Sequence, residues 1–544
     1  MLEGQNSRKN LRFPFAFWLS AAFSLLCPFP AKLTVNADGL LTMTLEDEET
    51  GQPVTSRIEL YRHLPQITAR AQKRLSKNAT KPIPIRQTIP AGIGTVLDER
   101  VELELPPGDY HYKLIRGPEY RWLTGGFTME KTSLDEHHKT LPRMVDMYKQ
   151  GWVSGDCFVT PSPNSLPLRM ASEDLHVAAV TQDVPAKPIP KRGQDRPLTY
   201  APSWIRHDVT YAQGLSYYGL NEPTAESLQI DPKSLDGLPF LIAAANANLE
   251  QPVKIAIENP FSWQLPVWLA SGKVDGYFLL GDWLRLDRQV LTIKEGPVPD
   301  YFAIREATQV GRYGEQIYRH LLDCGLRLVP LAGGGDQSAN LPVGYNRLYV
   351  TRAVDDGYDE SLQQPTIPTT SEQWWANLWQ GHSVATNGPM LQPLISGKVP
   401  GHTFKGSAGQ TLRLQPELNL SVRDQVDYLE VIHNNQVHYS ARLDEFAKAG
   451  GKIPPIEASE SGWVIIRVMT LHDQHYRAAV TAPWWIEIDG KRRVSKTSVE
   501  FFQAWQAGYE THLQKTQADQ LAQYAPFIQA SRKFWQTKLA QAVE

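Results

Sequence analysis

Between about residues 33 and 131, apolar and polar positions alternate with period two. Leu41, Thr42, Met43, Thr44 and Leu45 form one such run and Ile58, Glu59, Leu60 and Tyr61 another, with a turn over 47–53 between them that contains Gly51. Period two sends successive side chains to opposite faces, so each run predicts a strand with one face in a core. Val101, Glu102, Leu103, Glu104 and Leu105 repeat the pattern, which stops at Pro106, Pro107, Gly108 and Asp109 and resumes at Tyr110, His111 and Tyr112. Turn chemistry of that kind predicts a hairpin. The expected product is an N-terminal β-sandwich over residues 33–135.

From residue 141 the pattern changes. Short continuous apolar runs flanked by turn formers replace the alternation: one follows Gly151, a second spans 174–180, and others lie at 254–257, 276–280 and 327–331. Strands buried on both faces read this way. Residues 265–272 and 313–324 have helical spacing, the second stopped by Gly325. Strand alternating with helix predicts a parallel sheet covered by helices over 141–355. Residues 183–203, rich in proline and charge, read as an insertion at the carboxyl end of its strands. Past 370 the pattern gives a helix at 371–379, a turn at Asn387, Gly388 and Pro389, and strands near Leu412, 426–432, 463–468 and 484–486, a C-terminal β-rich domain over 371–490. A helical tail follows over 497–544. Thr497 and Glu500 have capping-box spacing, and Phe502, Trp505, Tyr509 and Leu513 share one face. Pro526 is expected to end that helix and open another carrying Phe527, Phe534, Trp535 and Leu539. Both apolar stripes are expected to dock on the chain's own domains.

Length and composition narrow the function. At 544 residues the chain is too long for one ordinary core, and 42% hydrophobic residues are enough to bury several. A net charge of -3 with scattered Lys and Arg argues against a nucleic-acid partner, which calls for a basic face. Arg8, Lys9 and Arg12 precede an apolar run over 13–29 that Pro14, Ser20, Ser24 and Pro28 interrupt. Residues 1–31 therefore read as a signal peptide or N-terminal anchor, which predicts an exported protein: periplasmic, surface-bound or secreted. Three cysteines are too few for a disulfide scaffold, and with Cys27 in that segment, Cys157 and Cys324 read as small buried apolar residues.

Gly151, Trp152, Val153, Ser154, Gly155, Asp156, Cys157, Phe158, Val159 and Thr160 are similar to the G-W-x-x-G-D-x-H-x-H opening of the CehA/McbA-type branch of the PHP (polymerase and histidinol phosphatase) metallohydrolase superfamily. Further segments resemble the same branch: 258–268 with Gly272, Lys273, Val274 and Asp275; 324–333; Pro342, Val343, Gly344, Tyr345, Asn346, Arg347; Trp374, Trp375, Ala376, Asn377, Leu378 with Gly381; and Thr386, Asn387, Gly388, Pro389. The resemblance implies a multidomain α/β plus β protein, a PHP-like distorted (β/α) barrel flanked by an N-terminal β-sandwich and a C-terminal β domain with a helical tail. It also implies divalent metals at the barrel mouth. This chain departs from the pattern there, because Phe158 and Thr160 stand at the two histidine positions. A benzyl ring has no lone pair for a cation, and a neutral hydroxyl is a poor substitute for imidazole.

What remains near the expected strand ends is a set of carboxylates: Asp156, Asp183, Glu258, Asp282 and Asp336. They could hold Mg²⁺ or Ca²⁺, or they could cap loops by hydrogen bonding. His176 reads as a core histidine, His207 lies in a loop and His137 with His138 before the barrel, so no zinc set gathers in sequence. Gly333, Gly334 and Gly335 lack a P-loop lysine, and no nucleophile elbow is present. The expectation is an inactive PHP-like homologue with a binding or structural role and no cofactor. Phe158, Thr160, Asp183 and Asp282 are its candidate pocket residues. The alternatives are a metal-dependent ester or phosphoester hydrolase using Asp156, Glu258 and Asp336, with a divalent metal, or an extracellular carbohydrate-binding protein. The expected partner is a glycan or small molecule.

Overall fold

The computed structural model describes residues 38–63, 80–82, 89–90, 94–160, 166–183, 204–284, 296–298, 307–335, 342–352, 367–472 and 476–542. They form a β-rich protein of several sheets with some helices. The amino-terminal segment 1–31 and the insertion beyond Asp183 fall outside the described residues. Among the described residues no helix is long and apolar enough to cross a membrane.

The alternating strands at the amino end build two facing sheets. Gly39–Asp47 lies between Arg100–Leu105 and Leu134–Leu141, and Ser56–His63 with Gly108–Ile115 forms the centre of a second, six-stranded sheet. Leu41, Met43 and Leu45 of the first meet Ile58, Leu60, Tyr110, Tyr112 and Leu114 of the second in one buried cluster. The hairpin expected at 106–109 does not form. Arg100–Leu105 pairs with Gly39–Asp47, whereas Gly108–Ile115 pairs with Ser56–His63 and Leu123–Met129, so the turn carries the chain from one sheet to the other. Proline and glycine fix where a chain reverses; which strand it then joins is set by the faces that must be buried, and these lie on opposite sheets.

Seven strands follow: β1 (Val153–Val159), β2 (Val177–Asp183), β3 (Trp204–Ala212), β4 (Leu215–Tyr218), β5 (Lys254–Ile257), β6 (Gly276–Leu280) and β7 (Val329–Ala332). They hydrogen-bond in that order, parallel except for β4, which runs antiparallel to β3 and β5. The ends of the run meet. Val159 bridges Gly335 in parallel, with Gly335 N–H donating to Phe158 O at 2.7 Å and Thr160 N–H to Gly335 O at 3.2 Å. Helices Leu166–Ser172, Leu265–Ala270 and Ala307–Asp323 connect parallel neighbours of the run, as such pairs require, and Leu238–Ala245 lies between the antiparallel β4 and β5. The hairpin β3–β4 turns at Gln213 and Gly214, both at positive φ, and was not anticipated from the sequence.

The near edge of β1 pairs antiparallel with β8 (Arg347–Val350), and this sheet continues through Ser383–Thr386, Ala478–Thr481, Gly462–Thr470 and Val426–His433. The result is one fifteen-stranded sheet. Helix Ser371–Trp379 packs where Gly155 leaves room: a Cβ on Gly155 would lie 2.3 Å from the Trp374 ring, whose Nε1 donates to Val153 O at 3.0 Å. The tail is a pair of helices, Lys496–Thr516 and Leu521–Gln541. Phe502, Trp505, Tyr509 and Leu513 are all buried, and Trp535 Nε1 donates to Pro266 O at 3.1 Å. The capping box is absent: Ser495 is the N-cap and Thr497 lies inside the helix. Pro526 lies within the second helix, and the break comes earlier, at Gln517. A missing proline N–H leaves a single carbonyl to be satisfied elsewhere, which one helical turn tolerates when the face is anchored.

The amino-terminal sheets are clasped to the ring by buried ions. Asp174 accepts from Arg116 at 2.7 Å and from Arg143 at 3.0 Å, and Arg143 also holds Glu119 at 3.0 Å. Burial pushes Asp174 up, but the two guanidiniums outweigh it and keep its carboxyl well below the usual range. Burial and then the Asp174 charge push Glu119 up to about 7, against the pull of Arg143. Asp174 also has a positive φ of 52°, which asparagine tolerates. Asp174→Asn should therefore keep the backbone while taking from buried Arg116 the carboxylate it pairs with and leaving Arg143 to Glu119, lowering the unfolding free energy by about 3–5 kcal/mol. The expected observation is a lower urea midpoint at unchanged slope.

Candidate functional site

The carboxyl ends of the parallel strands form the ring's mouth. Asp156, near the end of β1, is 1% exposed and its oxygens accept from three backbone N–H groups: Phe158 at 3.0 Å, Gly334 at 3.1 Å and Gly344 at 2.8 Å. It thereby ties β1 to the loop after β7 and to the loop before β8. Burial raises its carboxyl to about 7, opposed by those three N–H groups and by Arg347. Phe158 is buried edge-on against Tyr211 at 5.5 Å and Phe278 at 5.9 Å, filling the space within the ring. The Thr160 hydroxyl donates to Gly335 O at 3.2 Å. Neither position fits a metal ligand, since one is a hydrocarbon ring locked among rings and the other is engaged by the bridge that closes the strands.

Of the remaining carboxylates, Asp282 and Glu258 are described at the mouth. Asp282 lies against Gly335, where a Cβ would come within 2.3 Å of its carboxyl group; Gly335 has φ +67° and can be no other residue without strain. Glu258 is buried just past β5, its own N–H bonded to Gly214 O at 2.8 Å. Asp183 ends β2, and Asp336 lies outside the described residues. Among the described residues, no three His, Cys, Asp or Glu side chains gather where a metal ion could sit. His176 is buried, with Nδ1 at 2.8 Å from the Ser154 hydroxyl and its ring stacked on Tyr148. Cys157 and Cys324 are both buried thiols, and burial pushes each upward.

The motif residues past the ring act as braces. Asn346 donates to Gly281 O at 3.0 Å and Gly333 O at 3.2 Å and accepts from Asn387, which also donates to Tyr476 O at 2.9 Å. The described residues also form two concavities. One is a groove of about 850 Å³ lined by Trp204, Arg206, Asp208, Glu372, Trp375 and Trp379, where the Arg206 guanidinium covers the Trp375 ring at 4.6 Å. The other is a cavity of about 370 Å³ where the amino-terminal sheet, β8 and the C-terminal strands meet. Its cations are Arg57, Lys113, Arg347, Arg423 and Arg477. Of these only Arg347 fell in a recognisable motif, with its neighbours Gly344, Asn387 and Gly388, and none was read as a site residue, because cations spread over 420 positions carry no local spacing signal.

No protein-family model matches the chain, and no curated protein does. Among solved structures, the TIE protein of Bacillus anthracis is 16% identical over 23% of this chain and 20% of its own, with a TM-score of 0.14. A minor pilin of Streptococcus agalactiae is 21% identical over 20% of this chain and 46% of its own, with a TM-score of 0.16.

Two outcomes follow from the mouth. Asp156→Asn would turn an amide NH₂ toward backbone donors and should cost roughly 2–3 kcal/mol of stability, read by chemical denaturation. His176 is held down to about 4 chiefly by burial, with Arg347, Arg116 and Arg143 adding to it and Asp174 opposing. Its folded value lies below its unfolded one, so its contribution is complete above about pH 6.5 and is lost as pH falls toward 4, amounting to about 3 kcal/mol. Thermal unfolding between pH 7 and 4.5 should therefore fall less steeply in His176→Gln than in the parent, once the loss at neutral pH is subtracted.

Proposed function

We propose that the chain is an exported, non-catalytic homologue of the PHP metallohydrolases, whose distorted barrel is kept for binding and architecture. The closed run of seven strands, six of them parallel, supports the barrel reading. The observation that carries the loss of catalysis is Phe158: its ring occupies the interior between Tyr211 and Phe278 at the position where the resemblance calls for a ligand imidazole. A barrel mouth with no nitrogen donor on its first strand lacks the means to bind a metal that would acidify water. Asp156, which would have to serve in a rebuilt carboxylate site with Glu258 and Asp336, already spends its acceptors on three N–H groups.

The test is metal content and turnover together. The purified full chain, incubated with Mn²⁺ or Zn²⁺ and passed through a desalting column, is expected to retain only trace metal by mass spectrometry and to hydrolyse aryl esters and phosphoesters no faster than buffer. Stoichiometric metal that Glu258→Gln removes, or turnover that Glu258→Gln abolishes, would establish the hydrolase instead.

A second reading, glycan binding, is favoured by the tryptophan-lined groove, since indole faces and flanking polar groups suit sugar rings. It requires that an oligosaccharide quench tryptophan fluorescence in the parent and not in Trp204→Ala.

A further inference from the structure

The cavity at the junction holds more positive charge than its own carboxylates balance. Five cationic side chains line it against two carboxylates, Glu59 and Glu173, and both of these are bound to Arg57, at 3.2 and 2.8 Å. Asp424 holds Arg477 at 3.0 Å. Arg347, 1% exposed, donates to two backbone carbonyls, Gly344 O at 2.5 Å and Glu173 O at 3.0 Å. Arg423 likewise donates to Gly117 O and Tyr120 O, both at 3.0 Å. Lys113 and Arg423 both approach the Trp122 ring, at 3.5 and 4.9 Å, which fixes them at the rim. Burial lowers both, Arg423 to about 10, and neighbouring cations add to the effect.

Two donors in this wall are buried with no hydrogen-bond partner among the described residues: Arg347 Nη1 and Arg477 Nε. A buried charged donor without an acceptor is costly, and native structures rarely keep one without an occupant to satisfy it. Glycines make the space. A Cβ on Gly388 would lie 2.9 Å from Arg477 Nε, and one on Gly117 would lie 3.6 Å from Arg347 Nη1. The cations come from five separate segments of chain, in the amino-terminal sheet, β8 and the C-terminal β region, so donors reach the cavity from several sides. That arrangement suits a tetrahedral oxyanion better than a flat carboxylate, and guanidinium forks are the usual readers of such groups. The volume is that of a small-molecule site.

We propose that this cavity is an anion site for the phosphate or sulfate group of a small molecule, gripped by Arg347, Arg477 and Lys113. It is separate from the ring's mouth and stands whether or not the mouth carries catalysis. The full chain is titrated with inorganic phosphate against chloride of equal ionic strength, by calorimetry and by thermal unfolding. Phosphate should bind and raise the unfolding temperature beyond chloride. Lys113→Gln and Arg477→Gln should each weaken binding by about tenfold or more, while Lys448→Gln, on an exposed helix, should not. Should Arg477→Gln fail to fold, the half-buried Lys113→Gln decides. Parallel titrations with glycerol 1-phosphate and with phosphatidylglycerol vesicles separate a free ester from a lipid headgroup, and binding of either agrees with the shared chemistry. A phosphate response no larger than chloride's, or one undiminished in the folded variants, overturns the proposal.

Discussion

Asp174 holds the architecture together. It is a single buried carboxylate between two guanidiniums, Arg116 from the amino-terminal sheet and Arg143 from the connection into the ring. Such an arrangement adds little net energy over a well-packed apolar contact, because desolvation consumes most of the attraction. What it adds is exclusiveness. An apolar interface can slide, but Arg116, Arg143, Glu119 and the Tyr349 hydroxyl, which donates to Glu119 at 3.0 Å, satisfy one another in one register only. The amino-terminal module is thereby fixed over β8, and the walls of the cationic cavity are brought together.

The ring's mouth is fixed by a different means, hydrogen bonds to main chain. Asp156 ties two loops to its own strand by their N–H groups, and the Val159–Gly335 bridge closes the strands beside it. These contacts occupy the acceptors and the open positions that a catalytic centre would need. The aromatic triplet of Phe158, Tyr211 and Phe278 fills what is left. Gly155, Asn346 and Asn387 have visible structural duties of their own.

Much of the strand and helix order was legible in the sequence, because burial on two faces and burial on one leave different spacings. The runs at 254–257 and 276–280 and the helix at 371–379 coincide with the observed elements. Three things were not legible. Sheet membership at 106–109 depends on which distant strand offers a free edge, and turn residues do not encode that. The helix break comes at Gln517 and Pro526 lies within the second helix, which the local preference of proline did not indicate. The cationic cavity is assembled from residues separated by hundreds of positions, so only folding makes it a cluster. Of the carboxylates chosen from their places at strand ends, Asp156, Glu258 and Asp282 lie near the mouth, yet spacing could not tell that Asp156 would be saturated by main-chain donors.

The unbroken ladder from β7 to the C-terminal strands has a consequence for how the molecule fails. Arg347–Val350 is shielded on one side by Val153–Val159 and on the other by Ser383–Thr386. Proteolysis or a premature stop near residue 360 would strip the second partner and bare a row of main-chain donors and acceptors along four buried residues, Arg347 to Val350. An uncovered, largely apolar edge recruits its own kind. Shortened forms of this protein would accordingly clump rather than persist as separable halves.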